Sequence, residues 1–339
     1  MIAGHGDDIH NYDQELKVNF SSNIYQHADL EPLRQHLSEC FQLLANYPEP
    51  EPRSLERLIA EHEGIDPEGV LVTNGATEAI YLIAQLYRRS VSIIPQPTFS
   101  EYADACRVHH HIISDDTDNQ LRQLPRDRVY WICNPNNPSG NVLLKPFMDY
   151  LVRRSPRYTF VVDQSYEAYT LEPMLEARQM QDVTNLLLLH SFSKTYGVPG
   201  LRLGYVTGHP GTIQLLRSLR HPWAVGPLAI EAGKFLLSQG REAVPDLKDY
   251  LAEADRLHQA LRQLPGVRVF ESKTNYMLCE LSAASATDLK QYLAREHGLL
   301  IRDCSNFEGL NHHFFRVAAQ LPEEDDLLVE AIRQYLESL

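Results

Sequence analysis

Between Val70 and Val206 six short apolar runs, VLVT, SVSII, VYWIC, TFVVD, NLLLL and LRLGYV, alternate with longer stretches whose apolar residues recur at helical spacing. Runs this short and this apolar read as strands buried on both faces. Segments such as TEAIYLIAQLYR, FSEYADACRV and PFMDYLVRR read as the helices that cover them. The alternation predicts a mainly parallel, doubly wound α/β sheet. Upstream, LEPLRQHLSECFQLL predicts one helix with Pro32 in its first turn, and RSLERLIAEHEG a second closed by Gly64 at its C-terminal cap. From about Pro245 the pattern changes to a long helix, DLKDYLAEADRLHQALRQL, then VRVF, YMLCEL, a helix near Asp288 to His297, LLIRD, FFRVA and a closing helix from Glu323. That predicts a smaller α+β domain. The expected division is an N-terminal arm with part of the small domain over 1–45, a large domain over 46–240 and a small C-terminal domain over 241–339.

Ligands of a parallel sheet bind beyond the carboxyl ends of its strands, so the residues that follow each run carry the chemistry. VLVT leads into NGATEAI, a turn opening a helix whose free N–H groups at Ala76 and Thr77 suit a phosphate. VYWIC leads into NPNNPSG, whose three asparagines and two prolines are too specialised for a plain connector. TFVVD ends on Asp163, with Tyr166 three residues on. NLLLL leads into HSFSK, which sets Lys194 beside Ser191 and Ser193, and Arg202 follows eight positions later in the next expected strand. One small molecule needs all of these groups. Pyridoxal 5'-phosphate has an aldehyde for the lysine, a ring nitrogen that an aspartate keeps protonated, a phenolic oxygen for Asn137 and Tyr166, and a phosphate for the serines and Arg202. Phe99, in PTFSEY, is placed to stack on the ring.

Composition limits the partners. Acidic residues outnumber basic ones 45 to 31, a net charge of -14, which argues against nucleic acid or an anionic membrane as the main partner. The five cysteines are scattered and form no C-x-x-C pair, which fits reduced thiols of the cytosol. The opening MIAGHGDDIHNYDQ has no basic or apolar leader, and no apolar run reaches about 18 residues, so a soluble cytoplasmic protein is expected. His109 to His111 precede IIS and read as the start of a strand. No metal is expected.

The segments TNGATEAI, PTFSEY, CNPNNPSG, DQSYEAY and SFSKTYGVPGLRLGY resemble the class I/II aminotransferase family of pyridoxal-phosphate enzymes, fold type I, in order and spacing over essentially the whole chain. The resemblance implies that Lys194 is the Schiff-base lysine and Asp163 the pyridine partner. It makes Asn137 and Tyr166 the phenolic-oxygen donors, and Ser191, Ser193, Arg202, Ala76 and Thr77 the phosphate cup. Tyr47, in NYPEP, is implied to reach the cofactor phosphate of a neighbouring subunit, hence a homodimer with shared active sites. Arg302 and Arg316 lie where the family holds a substrate carboxylate.

Two branches fit. GHGDDIHNYDQELKVNFSSNIY, FSEY, HPWAV and IRDCSNFEGLNHHFFRVA are similar to the branch that decarboxylates L-threonine O-3-phosphate for the cobalamin side chain, which would make His5 and Asn23 ligands of the substrate phosphate. The histidinol-phosphate aminotransferase branch, using 2-oxoglutarate and glutamate, matches the lysine and the two arginines equally. DQSYEAY departs from the decarboxylase pattern toward the aminotransferase one, GHGDD lacks a second glycine, and Gly226 stands where that pattern has asparagine. Both branches imply a phosphorylated amino compound as substrate.

Overall fold

The computed structural model describes residues 6–114, 127–240 and 244–339. The first strand, β1 (Val18–Asn19), is followed by β2 (Val70–Thr73), β3 (Val91–Ile93), β4 (Ile112–Ser114), β5 (Arg128–Cys133), β6 (Tyr158–Asp163), β7 (Leu186–Ser191) and β8 (Gly204–Gly208). The last seven form one sheet in the order β2-β8-β7-β6-β5-β3-β4. Neighbours run parallel except β8, which is antiparallel to both β2 and β7. This is the α/β class expected from the alternating pattern, with β7 buried at every position.

Helices cover both faces. The helix Gly75–Leu86 packs Ala79, Ile80 and Ile83 with Tyr102, Trp131 and Leu187 on one side. On the other, Met148 and Val152 pack with Phe160, Val162 and Leu188. Each aliphatic side chain buried so completely contributes about 1.5–3 kcal/mol. The sheet is therefore a rigid base for the loops at its carboxyl edge.

A second group of strands comprises β9 (Val267–Val269), β10 (Tyr276–Leu281), β11 (Leu299–Leu300), β12 (Arg302–Asp303) and β13 (Phe314–Ala318). Four of them make an antiparallel sheet, β12-β13-β10-β9, while β11 pairs in parallel with β1. Val18 and Phe20 from the N-terminal arm share one apolar cluster with Tyr276, Phe315 and Ile332. The arm is thus anchored by residues nearly three hundred positions away.

Three expectations shift in detail. LLIRD is two strands in two sheets, split at buried Ile301. The helix expected over LEPLRQHLSECFQLL stops at Glu39, and a 3-10 turn, Phe41–Ala45, follows the cap at Cys40. Phe41 and Leu44 are exposed, so no buried stripe prolongs the α-helix there. LRLGYV begins its strand only at Gly204, and Arg202 sits before it in a left-handed conformation, φ 52°, after the turn Pro199–Leu201. The reason is topological: the chain reverses between β7 and β8, setting Ser191 opposite Gly204. No helix among the described residues is long and apolar enough to cross a membrane.

Candidate active site

The carboxyl ends of β5, β6 and β7 open into a cavity of about 230 Å³. Lys194 lies in the four-residue helix Phe192–Thr195 directly after β7. Its backbone carbonyl accepts a 2.7 Å hydrogen bond from the Tyr169 hydroxyl. Its Nζ donates to the Ser22 carbonyl at 2.9 Å and stands 5.7 Å from the centre of the Tyr166 ring. Burial pushes the amine down to about 8, helped by Arg316 and Arg202 and opposed by Asp7 and Asp163. A lysine so shifted is in part neutral near physiological pH and able to act as a nucleophile.

Asp163 ends β6 and is buried. Its Oδ1 accepts from the Ser165 N–H at 2.9 Å and its Oδ2 from the Tyr102 hydroxyl at 2.7 Å. Burial and the adjacent carboxylate hold the Tyr102 phenol well above its usual range, so it remains a donor. Tyr166 is buried in edge contact with Tyr276, centroids 5.0 Å apart, and burial pushes its hydroxyl up to about 12. Asn137 accepts from Arg316 Nη1 through its Oδ1, which leaves Nδ2 as the donating end.

An anion cradle occupies one wall. The helix Gly75–Leu86 begins there with no side-chain cap from Asn74, so the N–H groups of its first turn lack intrahelical partners. Arg202 lies against Gly75 and donates to Ser193 Oγ at 3.4 Å. Gly75 has φ 77°, and a Cβ there would collide with the Arg202 guanidinium. Only glycine satisfies both demands. Ser191, Ala76 and Thr77 complete this wall, and Phe99 lines the cavity with them.

The opposite wall comes from the second sheet. Arg302 and Arg316 are direct register partners on β12 and β13 and are both buried. Residues directly opposite on neighbouring strands share a face. Arg316 Nη2 donates to the Ser21 carbonyl at 2.6 Å and Arg302 Nη2 to Asn306 Oδ1 at 2.8 Å. Burial, then Arg316, lowers the Arg302 guanidinium from its usual range. Two adjacent buried guanidiniums repel each other and favour anions between or beside them.

Twelve of the residues singled out in the sequence therefore line one cavity. Asn23 is fully buried next to it, φ 57°, with its amide set against the Tyr166 hydroxyl. Tyr47 is outside: it is 83% exposed, with its ring tilted 41° to that of Trp223, centroids 5.2 Å apart. His5 lies outside the described residues. Both ring nitrogens of His111 are engaged, by Ser92 and the Ala84 carbonyl, each at 2.8 Å.

The sequence reading missed Tyr102, Ser22 and Asp7. Tyr102 stands three residues after Phe99 in PTFSEY, and the two rings meet edge to face, centroids 5.7 Å apart. Asp7 also lines the cavity, in a left-handed conformation with φ 66°, and its carboxylate accepts from Asn19 Nδ2.

Residues 15–332 match the family of class I and II aminotransferases. The threonine-phosphate decarboxylase of Salmonella typhimurium is 27% identical over 333 residues, covering 94% of this chain and 91% of that protein. The histidinol-phosphate aminotransferase of a Thermoanaerobacter species is 29% identical, covering 86% and 84%. The crystal structure of L-threonine-O-3-phosphate decarboxylase from Porphyromonas gingivalis superposes with a TM-score of 0.90 at 36% identity, covering 94% of this chain and 99% of that one.

Proposed function

The chain belongs to the class I and II aminotransferase family of pyridoxal-phosphate-dependent enzymes, and from that premise we propose that it decarboxylates L-threonine O-3-phosphate. The cavity's donor set fits the cofactor. A lysine lowered to about 8 shares one cavity with an anion cradle, where a Cβ at Gly75 would run into the Arg202 guanidinium, and with Asp163 and the donating end of Asn137. Lys194 would hold the aldehyde and Asp163 the ring nitrogen. Asn137 and Tyr166 would donate to the phenolic oxygen, Phe99 would cover a ring face, and Ala76, Thr77, Ser191, Ser193 and Arg202 would bind the phosphate. When bound, pyridoxal phosphate supplies a protonated ring that accepts the electron pair of the broken bond at Cα.

The observation that carries the substrate reading is the pairing of Arg302 with Arg316 across β12 and β13, both buried and both lining the cavity. The phosphate of such a substrate matches the two guanidiniums, with the buried Asn23 amide beside the cavity. A phosphate dianion held by the arginine pair leaves the carboxylate without a strong cation, which favours its loss as carbon dioxide. Lys194, once free, returns a proton to Cα. The 36% identity to a decarboxylase of this substrate supports the same reading.

Tyr166, buried beside Lys194, favours the aminotransferase of histidinol phosphate as the second reading. Histidinol phosphate has no carboxylate to lose, so the arginines would hold its phosphate and, in the other half-reaction, a carboxylate of glutamate, while Lys194 would move the Cα proton. Side-by-side assays decide. Carbon dioxide released from L-threonine O-3-phosphate with no keto acid present is the expected result. Glutamate or 2-oxoglutarate dependence with histidinol phosphate, and no carbon dioxide, would assign the second activity.

A homodimer is part of the proposal. Tyr47, Trp223, Phe41 and Leu44 are large apolar side chains left 47–83% exposed, as a covered subunit face would require. Light scattering that returned a monomer mass at micromolar concentration would remove Tyr47 from the active site.

A further inference from the structure

A cluster away from the cavity has the donor set of a transition-metal site. His36 lies in the helix Glu31–Glu39, and Cys40 caps it four positions later, so both project from one face. Glu231 faces them from the helix Pro227–Gln239. His36 Nε2 is 3.9 Å from Cys40 Sγ, and one carboxylate oxygen of Glu231 completes a set whose atoms all lie within 4.8 Å of one another. The imidazole is stacked on Phe235, centroids 4.6 Å apart and planes 19° apart, one turn beyond Glu231. Lys234 Nζ holds Glu231 Oε1 at 2.7 Å. All three ligands are half-buried, hence reachable from solvent yet oriented by neighbours.

Tetrahedral zinc sites place nitrogen and oxygen about 2.0–2.2 Å and sulfur about 2.3 Å from the metal, so neighbouring ligand atoms stand roughly 3.3–3.6 Å apart. The His36–Cys40 separation of 3.9 Å closes to that value with a small side-chain rotation. We propose that His36, Cys40 and Glu231 form a three-ligand site for a thiophilic divalent cation of the zinc type, with water as the fourth ligand. One sulfur among three donors selects against magnesium and calcium. On binding, the Cys40 thiol proton passes to solvent, and thiolate plus carboxylate balance the two positive charges. The cation would clip the helix Glu31–Glu39, which leads into the segment bearing Tyr47, onto the helix Pro227–Gln239. None of these residues lines the cavity around Lys194, so the inference stands apart from the proposed function.

The test uses the purified holoenzyme, stripped with a chelator and titrated with cobalt(II). Expected are visible ligand-field bands of tetrahedral intensity that saturate at one ion per chain and are displaced by zinc. They should vanish in Cys40→Ser, with affinity falling at least about 10-fold in His36→Ala, the scale at which even outer-shell partners of a metal count. Wild-type protein supplies an independent measurement, because Cys106, Cys133, Cys279 and Cys304 are buried and only Cys40 is partly accessible. Zinc should slow iodoacetamide alkylation of Cys40, read by peptide mass spectrometry. Equal cobalt or zinc affinity in wild type and Cys40→Ser, or alkylation of Cys40 unchanged by zinc, overturns the site.

Discussion

The Tyr102 hydroxyl donates a 2.7 Å hydrogen bond to Asp163 Oδ2, and both residues are buried. With the Ser165 N–H on Oδ1, it fixes the plane of a carboxylate whose proposed duty is to keep a ring nitrogen protonated. Tyr102 is itself stacked on Trp131, centroids 5.6 Å apart, so the donor cannot swing away. Tyr102→Phe keeps that packing and deletes one charge-assisted bond, a loss of about 1.5–3 kcal/mol. We expect cofactor affinity and turnover to fall about 10- to 100-fold, with a melting temperature of the apoprotein close to wild type. Asp163→Ala should go further and abolish turnover while leaving the anion cradle intact. Full activity in Tyr102→Phe, measured by initial rates at saturating cofactor, would show that Ser165 alone orients the carboxylate.

Lys194 links the site to stability. Its folded-state value is about 8, against 10.5 for the free side chain. Between those values the unfolded chain holds a proton that the folded apoprotein has lost, so stability rises with pH across this window. Below about 8 both states are protonated, and the full cost of burying the ammonium is present. Lys194→Met removes this slope. Urea denaturation of the two apoproteins should therefore show a stability gap, in favour of the variant, that is constant below about pH 8 and narrows as the pH is raised. A gap independent of pH would mean that the amine is solvated in the folded state.

The large sheet was legible in the sequence because strands such as LLLL at 186–189 are apolar at every position, which only burial on both faces tolerates. Lys194, Asp163, Asn137 and the serines were legible because they end or follow such strands. Ser22 was not, since it acts through its backbone carbonyl, and no side-chain chemistry marks that role. Asp7 was not either, since tertiary packing brings its segment to Arg302: a Cβ at Gly6 would already stand 3.3 Å from Arg302 Cδ. Arg202 was found as a residue but placed in the wrong element, because LRLGYV alternates like a strand while the chain reversal after β7 bends its first residues into a turn. The two-residue β1 has too few positions to show any period.

The arginine pair gives a substrate test with its own internal control. Among the described residues the Arg302 guanidinium donates to Asn306 alone, whereas that of Arg316 ties Ser21 and Asn137 to the cavity wall. Arg302→Ala should therefore raise the KM for L-threonine O-3-phosphate about 10- to 100-fold, as expected for loss of one charge-assisted contact of about 1.5–3 kcal/mol. It should leave cofactor binding unchanged. Unphosphorylated L-threonine, a poor substrate, should react with wild type and Arg302→Ala at similar rates. Equal losses for both compounds would place the carboxylate, and not the phosphate, at Arg302.

Remote from the cavity, Glu56 is fully buried and carries the edge of the large sheet. Its Oε2 accepts from Arg217 Nη1 at 2.7 Å, and its Oε1 accepts from the Val72 N–H of β2 at 3.2 Å. Arg217 and Arg220 in turn donate to the Val70 and Val72 carbonyls, at 2.8 and 2.6 Å. Edge-strand backbone groups are thereby satisfied by side chains from two helical segments, which blunts the edge and docks the helix Arg53–Glu63. Glu56→Ala removes the buried carboxylate from both guanidiniums and leaves Arg217 only the half-exposed Glu51 at 3.2 Å, a situation that costs about 3–5 kcal/mol. The urea midpoint should fall accordingly with little change in slope, while the folded fraction still binds cofactor at one per chain, because no residue of this network lines the cavity. A loss under about 1 kcal/mol would mean that water replaces the carboxylate, and that the guanidiniums are less enclosed than their burial indicates.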